Sequence, residues 1–192
     1  LAHAIAIVGE TGDPQDAIIV VGPNEYLVIQ SSNVFFKGIA FEIDANSNEQ
    51  PSESAVKVEL LGDVLFIDCA FQGNRSVESS GVLINEGNAK FWNCVFKEFG
   101  GAGIVAQNEG SGTAAYCKFS DSNVGIKVLA KGTLDASACF FSNNGIGFDA
   151  QDNGGGSVKS NLFDANQNAW NVDYKSRGSL DFDKKTNIVD KK

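Results

Sequence analysis

One histidine, two arginines, three prolines and no methionine are all that this chain of 192 residues supplies of those types. The lone histidine, His3, leaves no base for a serine or cysteine nucleophile and no partner for thiolates at a zinc site. Neither a Cys-x-x-Cys pair nor a zinc-type Cys/His spacing occurs, so no metal site and no cofactor is expected. Gly9-Glu10-Thr11-Gly12 lacks the Gly-Lys-Ser/Thr ending of a phosphate loop. No apolar run reaches the roughly 18 residues that a membrane-spanning helix needs. Basic charge is short as well, with 15 Lys and Arg against 24 Asp and Glu and a net charge of −9. Nucleic-acid binding by counterion release requires clustered cations and is excluded as a function class. The basic excess lies at the end, where Tyr174 to Lys192 hold six basic and three acidic residues and read as a solvated tail. A chain that starts at Leu1 with no methionine and no leader pattern is expected to be a piece of a longer protein.

What is present is a repeat. A glycine precedes a Cys/Asn-x-Phe triplet by seven residues five times, as Gly62 with Cys69-Ala70-Phe71, Gly87 with Cys94-Val95-Phe96, Gly110 with Cys117-Lys118-Phe119, Gly132 with Cys139-Phe140-Phe141 and Gly154 with Asn161-Leu162-Phe163. The triplets follow one another at 25, 23, 22 and 22 residues, and a degenerate copy, Ile39-Ala40-Phe41, stands 30 residues before the first. A period of this length signals stacked supersecondary units. Within a unit, Ala89, Phe91, Cys94 and Phe96 alternate inward while Lys90 and Trp92 point out, with a parity switch near Asn93. The preceding unit repeats this with Val64, Phe66, Cys69 and Phe71 inside and Leu65 and Ile67 outside. Period-2 alternation that changes parity at a polar residue is a strand turning a corner. A second apolar element follows each triplet, as in Gly103-Ile104-Val105, Gly125-Ile126-Lys127-Val128 and Gly147-Phe148-Asp149, and Asn/Ser/Gly corners lie between.

These features predict an all-β, right-handed parallel β-helix of about seven coils with 22–25 residues per regular coil. Residues 1–33 form an irregular N-terminal coil or cap, 34–173 the coils with a polar insertion at 44–54, and 174–192 a final partial coil and the basic tail. The rungs resemble the right-handed β-helix repeat family of the pectate-lyase-like superfamily, and within it the carbohydrate-binding and sugar-hydrolase-type domains. The resemblance covers about residues 34–172 and rests on Gly-x(6)-[Cys/Asn]-x-Phe with the Gly-[Ile/Phe]-x-[Val/Asp] element. It implies a fold that hosts polysaccharide lyases and hydrolases as well as non-catalytic modules of larger proteins.

The enzymatic equipment that the resemblance implies is missing. No Gly-His-Gly, Arg-x-Lys or Asp-Pro-His-Asp occurs, Asp13-Pro14-Gln15-Asp16 lacking the histidine. Arg75 is expected in a corner without an acidic ladder. Asp149, Asp152 and Asp164 are the nearest candidates for a carboxylate pair, but none shares a register with another on consecutive rungs. No catalytic residue is therefore assigned, and a polysaccharide lyase or glycoside hydrolase acting through surface carboxylates is kept as the alternative. The expected function is a non-catalytic interaction or scaffold module that contacts a protein or carbohydrate, or another copy of itself, through an outer sheet face. Leu65, Ile67, Lys90, Trp92 and Tyr116 are the candidate binding residues, because they would form an apolar, aromatic patch there. The four cysteines, one per rung at one register, read as an inward ladder of free thiols, which favours a reducing, cytoplasmic compartment.

Overall fold

A computed structural model describes residues 4–44 and 52–190 of the chain, so most of the expected insertion at 44–54 lies outside the described residues. Every named element is a short strand except one 3-10 turn, Pro14–Asp16. The strands form three parallel sheets of 8, 8 and 7 members, and each coil contributes one strand to each sheet in turn. Sheet A begins with Ile5–Val8 and Val34–Lys37, continues through Asp63–Ile67, Asn88–Trp92, Ser111–Ala115 and Thr133–Ser137, and ends with Gly156–Lys159 and Leu180–Phe182. Sheet B runs from Ile18–Val21 to Ile188–Asp190 and holds the Cys/Asn-x-Phe triplets, while sheet C runs from Leu27–Ile29 to Asn168–Val172 and holds the second apolar element. Seven coils and a partial eighth result, as the period predicts.

The parity switch between sheets A and B has a backbone cause. Gly38, Asp68, Asn93, Tyr116, Ala138 and Ser160 occupy this corner with φ of 62, 52, 52, 57, 51 and 58°. One residue in the left-handed region bends the strand and swaps which side of it faces inward. The interior then fills in rows. Phe41, Phe71, Phe96, Phe119, Phe141 and Phe163 stack with centroids 4.6–4.9 Å apart and planes within 10°. That separation is the spacing of adjacent strands, so the ladder follows from register. The inner row of sheet A runs from Ile7 through Phe36, Phe66 and Phe91 to Ala114 and Ala136. Sheet C compensates in volume, moving from Ile104 and Ile126 to Phe148 and Trp170. Trp170 is thus an interior residue, packed on Phe182 with centroids 4.3 Å apart.

The repeat glycines serve close approach. None of Gly62, Gly87, Gly110, Gly132 and Gly154 has positive φ. A Cβ on Gly87 would lie 2.7 Å from the carbonyl oxygen of Glu59 on the preceding coil and 2.8 Å from Val58 Cγ1. In sheet C, Gly125 makes room for a carbonyl and a ring together, because a Cβ there would lie 2.5 Å from Gly147 O on the next coil and 2.7 Å from Phe141 Cδ1.

The interchange of cysteine and asparagine in the triplet also has a structural reason. All four cysteines are free and buried. The thiols of Cys94, Cys117 and Cys139 reach Phe66 O, Phe91 O and Ala114 O on the preceding coil at 3.5, 3.6 and 3.4 Å, and share their one proton with the carbonyls of Trp92, Ala115 and Ser137 in their own coil at 3.4, 3.3 and 3.3 Å. Asn161 and Asn187 donate to the preceding coil with their side-chain amides, to Ala136 O at 3.0 Å and Val158 O at 2.7 Å. Both residue types act as small inward donors that tie one coil to the last.

Candidate functional site

Side chains that point away from the core of sheet A form rows along its outer face. One row pairs Phe35 with Leu65, Leu65 with Lys90 and Lys90 with Thr113. The next pairs Lys37 with Ile67, Ile67 with Trp92 and Trp92 with Ala115. Leu65 and Ile67 are half-buried and Lys90 is exposed. Trp92 keeps 50% and Tyr116 57% of its surface open to solvent. Their rings meet with centroids 4.6 Å apart and planes at 61°, an edge-to-face contact. All five residues singled out from the sequence therefore lie together around one face and its corner with sheet B.

Tyr116 is the least ordinary of them. It sits at the corner itself, with φ of 57°, where Asp68 and Asn93 occupy the preceding rungs. Asn and Asp adopt that region readily, whereas a tyrosine there costs on the order of 1–2 kcal/mol. The corner's geometry throws the phenol outward beside Trp92 instead of along the strand. Polar groups frame the rings. Asn93 Nδ2 donates to Asp68 Oδ1 at 2.8 Å, Asn88 Nδ2 donates to Asp63 Oδ1 at 2.8 Å, and Lys90 Nζ lies 3.9 Å from Asp63 Oδ1. A groove of about 310 Å³ runs beside them, lined by Phe35, Leu65, Asp63 and Lys90 among others.

Residues that the sequence reading did not reach extend this surface. Phe35 belongs to it, and the alternation of Val34 and Phe36 inward was the available signal. Around the corner, the outer face of sheet B carries Val95, Phe140, Leu162 and Ile188 in the row that passes through Lys118. Asp44 and Ser52, the described residues of the insertion on either side of 45–51, stand at the junction of sheets B and C, the corner opposite sheet A.

The candidate carboxylates do not gather. Asp149 is buried on sheet C, accepting from Gln151 Nε2 and Asn171 Nδ2 at 2.8 Å each. Asp152 lies at the next corner, paired with Lys175 Nζ at 2.7 Å, and Asp164 ends a strand of sheet B. Arg75 lies in a turn and lines a groove of about 580 Å³ together with Glu42, Asp44 and Glu98. These acids form no ladder, because the row through Glu42 continues with Gln72 and Lys97. Among the described residues, no group of three or more His, Cys, Asp or Glu side chains could hold a metal ion.

The thiols form no reactive centre. Burial pushes the Cys94 thiol well above its ordinary value. A hydrogen bond with Cys117, and then burial, push Cys139 the same way. The hydrogen bond from Cys94 holds Cys69 below the ordinary value, but that thiol is only 1% exposed.

A family model described as a right-handed β-helix region matches residues 22–141 and, in an overlapping match, residues 54–187. No curated protein and no solved structure matches the chain. No helix among the described residues is long and apolar enough to cross a membrane.

Proposed function

The chain belongs to the right-handed β-helix family, and from that premise we propose that it is a non-catalytic interaction module whose partner is a protein docking on the outer face of sheet A. The observation that carries this reading is the Trp92–Tyr116 pair, half-exposed on an otherwise polar corner and flanked by Leu65, Ile67 and Lys90. Tryptophan and tyrosine at the centre of an apolar patch with a polar rim are the usual energetic anchors of protein interfaces. The aromatic pair stands exposed on the outside of a sheet and not inside an enclosed cavity, which suits a protein surface better than an enclosed small ligand. The stack beneath fixes the backbone that carries the aromatic pair, which lowers the ordering cost of binding.

Affinity capture from source extract, with the parent chain and the Trp92→Ala/Tyr116→Ala variant compared by quantitative mass spectrometry, tests this. A protein retained by the parent and lost from the variant is expected, and identical captured sets would contradict the reading. Binding of the parent alone to arrayed glycans would keep the surface but make its ligand a sugar. A second reading, cleavage of an acidic polysaccharide by surface carboxylates, draws support from the groove that joins Arg75 to Glu42, Asp44 and Glu98. Turnover of oligogalacturonates that disappears in Arg75→Ala would favour it.

A further inference from the structure

We propose that two copies of the chain pair face to face through the outer side of sheet B, about a two-fold axis that runs along the strands. Four consecutive strands build this face, Val95–Lys97, Lys118–Ser120, Phe140–Ser142 and Leu162–Asp164. Each has a hydrogen-bonded strand on both sides, so none is an end of the sheet. The middle residue of each strand belongs to the interior phenylalanine stack, and the first and third face outward. One outward row is therefore Val95, Lys118, Phe140 and Leu162, and the other is Lys97, Ser120, Ser142 and Asp164. Val95 and Leu162 are 36% and 38% exposed although strands flank them. Lys118 does not stand off this apolar row, since its Nζ lies 5.9 Å from the centre of the Phe140 ring and the side chain folds along the face.

The two rows are complementary to themselves. An axis along the strands, passing between Lys118–Ser120 and Phe140–Ser142, lays each row on its own copy with the strand order reversed. Val95 then meets Leu162 of the second copy, and Lys118 meets the ring of its Phe140. Ser120 meets Ser142, and these small side chains let the centre close to the sheet-packing distance of about 10 Å. Lys97 meets Asp164, and symmetry makes the pair twice. Among the described residues, neither Lys97 nor Asp164 takes part in an ion pair within its own chain. A two-fold axis along the stack of coils would instead set Val95 against Lys97 and Leu162 against Asp164, apolar on charged. The contact joins one surface to itself and closes at two copies. Two outward residues per strand make a narrow strip, which places the dimer among weak, concentration-dependent associations.

Sedimentation velocity over a concentration series tests the proposal on the parent chain. Mean mass should rise from one chain to two and level off. A chain still monomeric at about 1 mM, or a mass that climbs past two, overturns the idea. Lys97→Glu and Asp164→Lys, each checked for its β-sheet circular dichroism, test the axis. Either variant alone sets like charges across both pairs and should weaken self-association by about tenfold or more. Mixing the two restores both opposite-charge pairs, so the mixture should dimerise as the parent does. Parent-like dimerisation of each single variant, or a mixture no better than its components, would refute the pairing. The parent series decides the question even if a variant fails to fold.

Discussion

Replacing a ladder cysteine by asparagine should be nearly neutral at Cys139 and costly at Cys94. The thiol at either position accepts from a backbone N–H of the preceding coil, and its one proton is shared between a carbonyl of that coil and one of its own coil. An asparagine reproduces both contacts, as Asn161 does by accepting from Cys139 N at 2.8 Å and donating to Ala136 O at 3.0 Å. It also brings a second amide proton. Asn161 places that proton on Asn187 Oδ1 at 3.1 Å, an oxygen that accepts Asn161 N as well. An asparagine at 139 would find Asn161 Oδ1 in the same relation on the next coil, and its stability should stay within about 0.5 kcal/mol of the parent. At 94 the next rung is Cys117, whose sulfur is a poor acceptor, so one buried N–H is left unpaired. That omission costs about 1–3 kcal/mol. Urea unfolding of Cys139→Asn and Cys94→Asn, read as midpoint shifts at constant slope, compares the same chemical change two rungs apart. Equal losses, or a larger loss at 139, would refute the ladder argument.

Three further outcomes follow from the packing and its electrostatics. Gly87→Ala should destabilise by about 1–3 kcal/mol in urea, because its Cβ meets the Glu59 carbonyl and Val58, whereas Gly178→Ala, with nothing within 4 Å, should cost little; equal effects would contradict the close-approach role. Phe96→Ala removes a fully buried ring and should cost about 3–5 kcal/mol, while Trp92→Ala should cost less than about 1 kcal/mol, a contrast that thermal melts check directly. Stability should also fall as pH rises above the ordinary thiol value of 9.0. Burial raises the folded Cys94 pKa, so the unfolded chain ionises first, and this contribution, whole below that value, declines by about 1.4 kcal/mol per pH unit above it. Urea midpoints on either side of that pH measure the decline, and a flat profile would contradict it.

The fold was legible because its signal is local and repeated. Gly87, Cys94 and Phe96 recur with the same offsets, and each offset maps onto one corner, one inward donor and one ring of the stack. The side that each residue faces could be read wherever alternation was unbroken, which is why Leu65, Ile67, Lys90 and Trp92 fall together. What the period could not supply was contact across irregular coils. Arg75 lies in a turn between strands, so the groove that it shares with Glu42 had no countable register. The cause of the glycine repeat was hidden for another reason, since a turn glycine and a glycine under a neighbouring carbonyl look alike in sequence. The edge-to-face contact of Tyr116 with Trp92 depends on a tyrosine held at φ of 57°, which no propensity for that residue type would suggest.

Register buries the repeated cysteine and phenylalanine in every coil, so the proposed interaction falls to the outer faces. Intact-mass analysis after brief alkylation of the native chain tests it most directly. All four cysteines are buried and free, so the account predicts no modified thiol in the native state and complete modification once the chain is unfolded. Rapid labelling of even one thiol in the folded chain would contradict it, because that rung would then face outward.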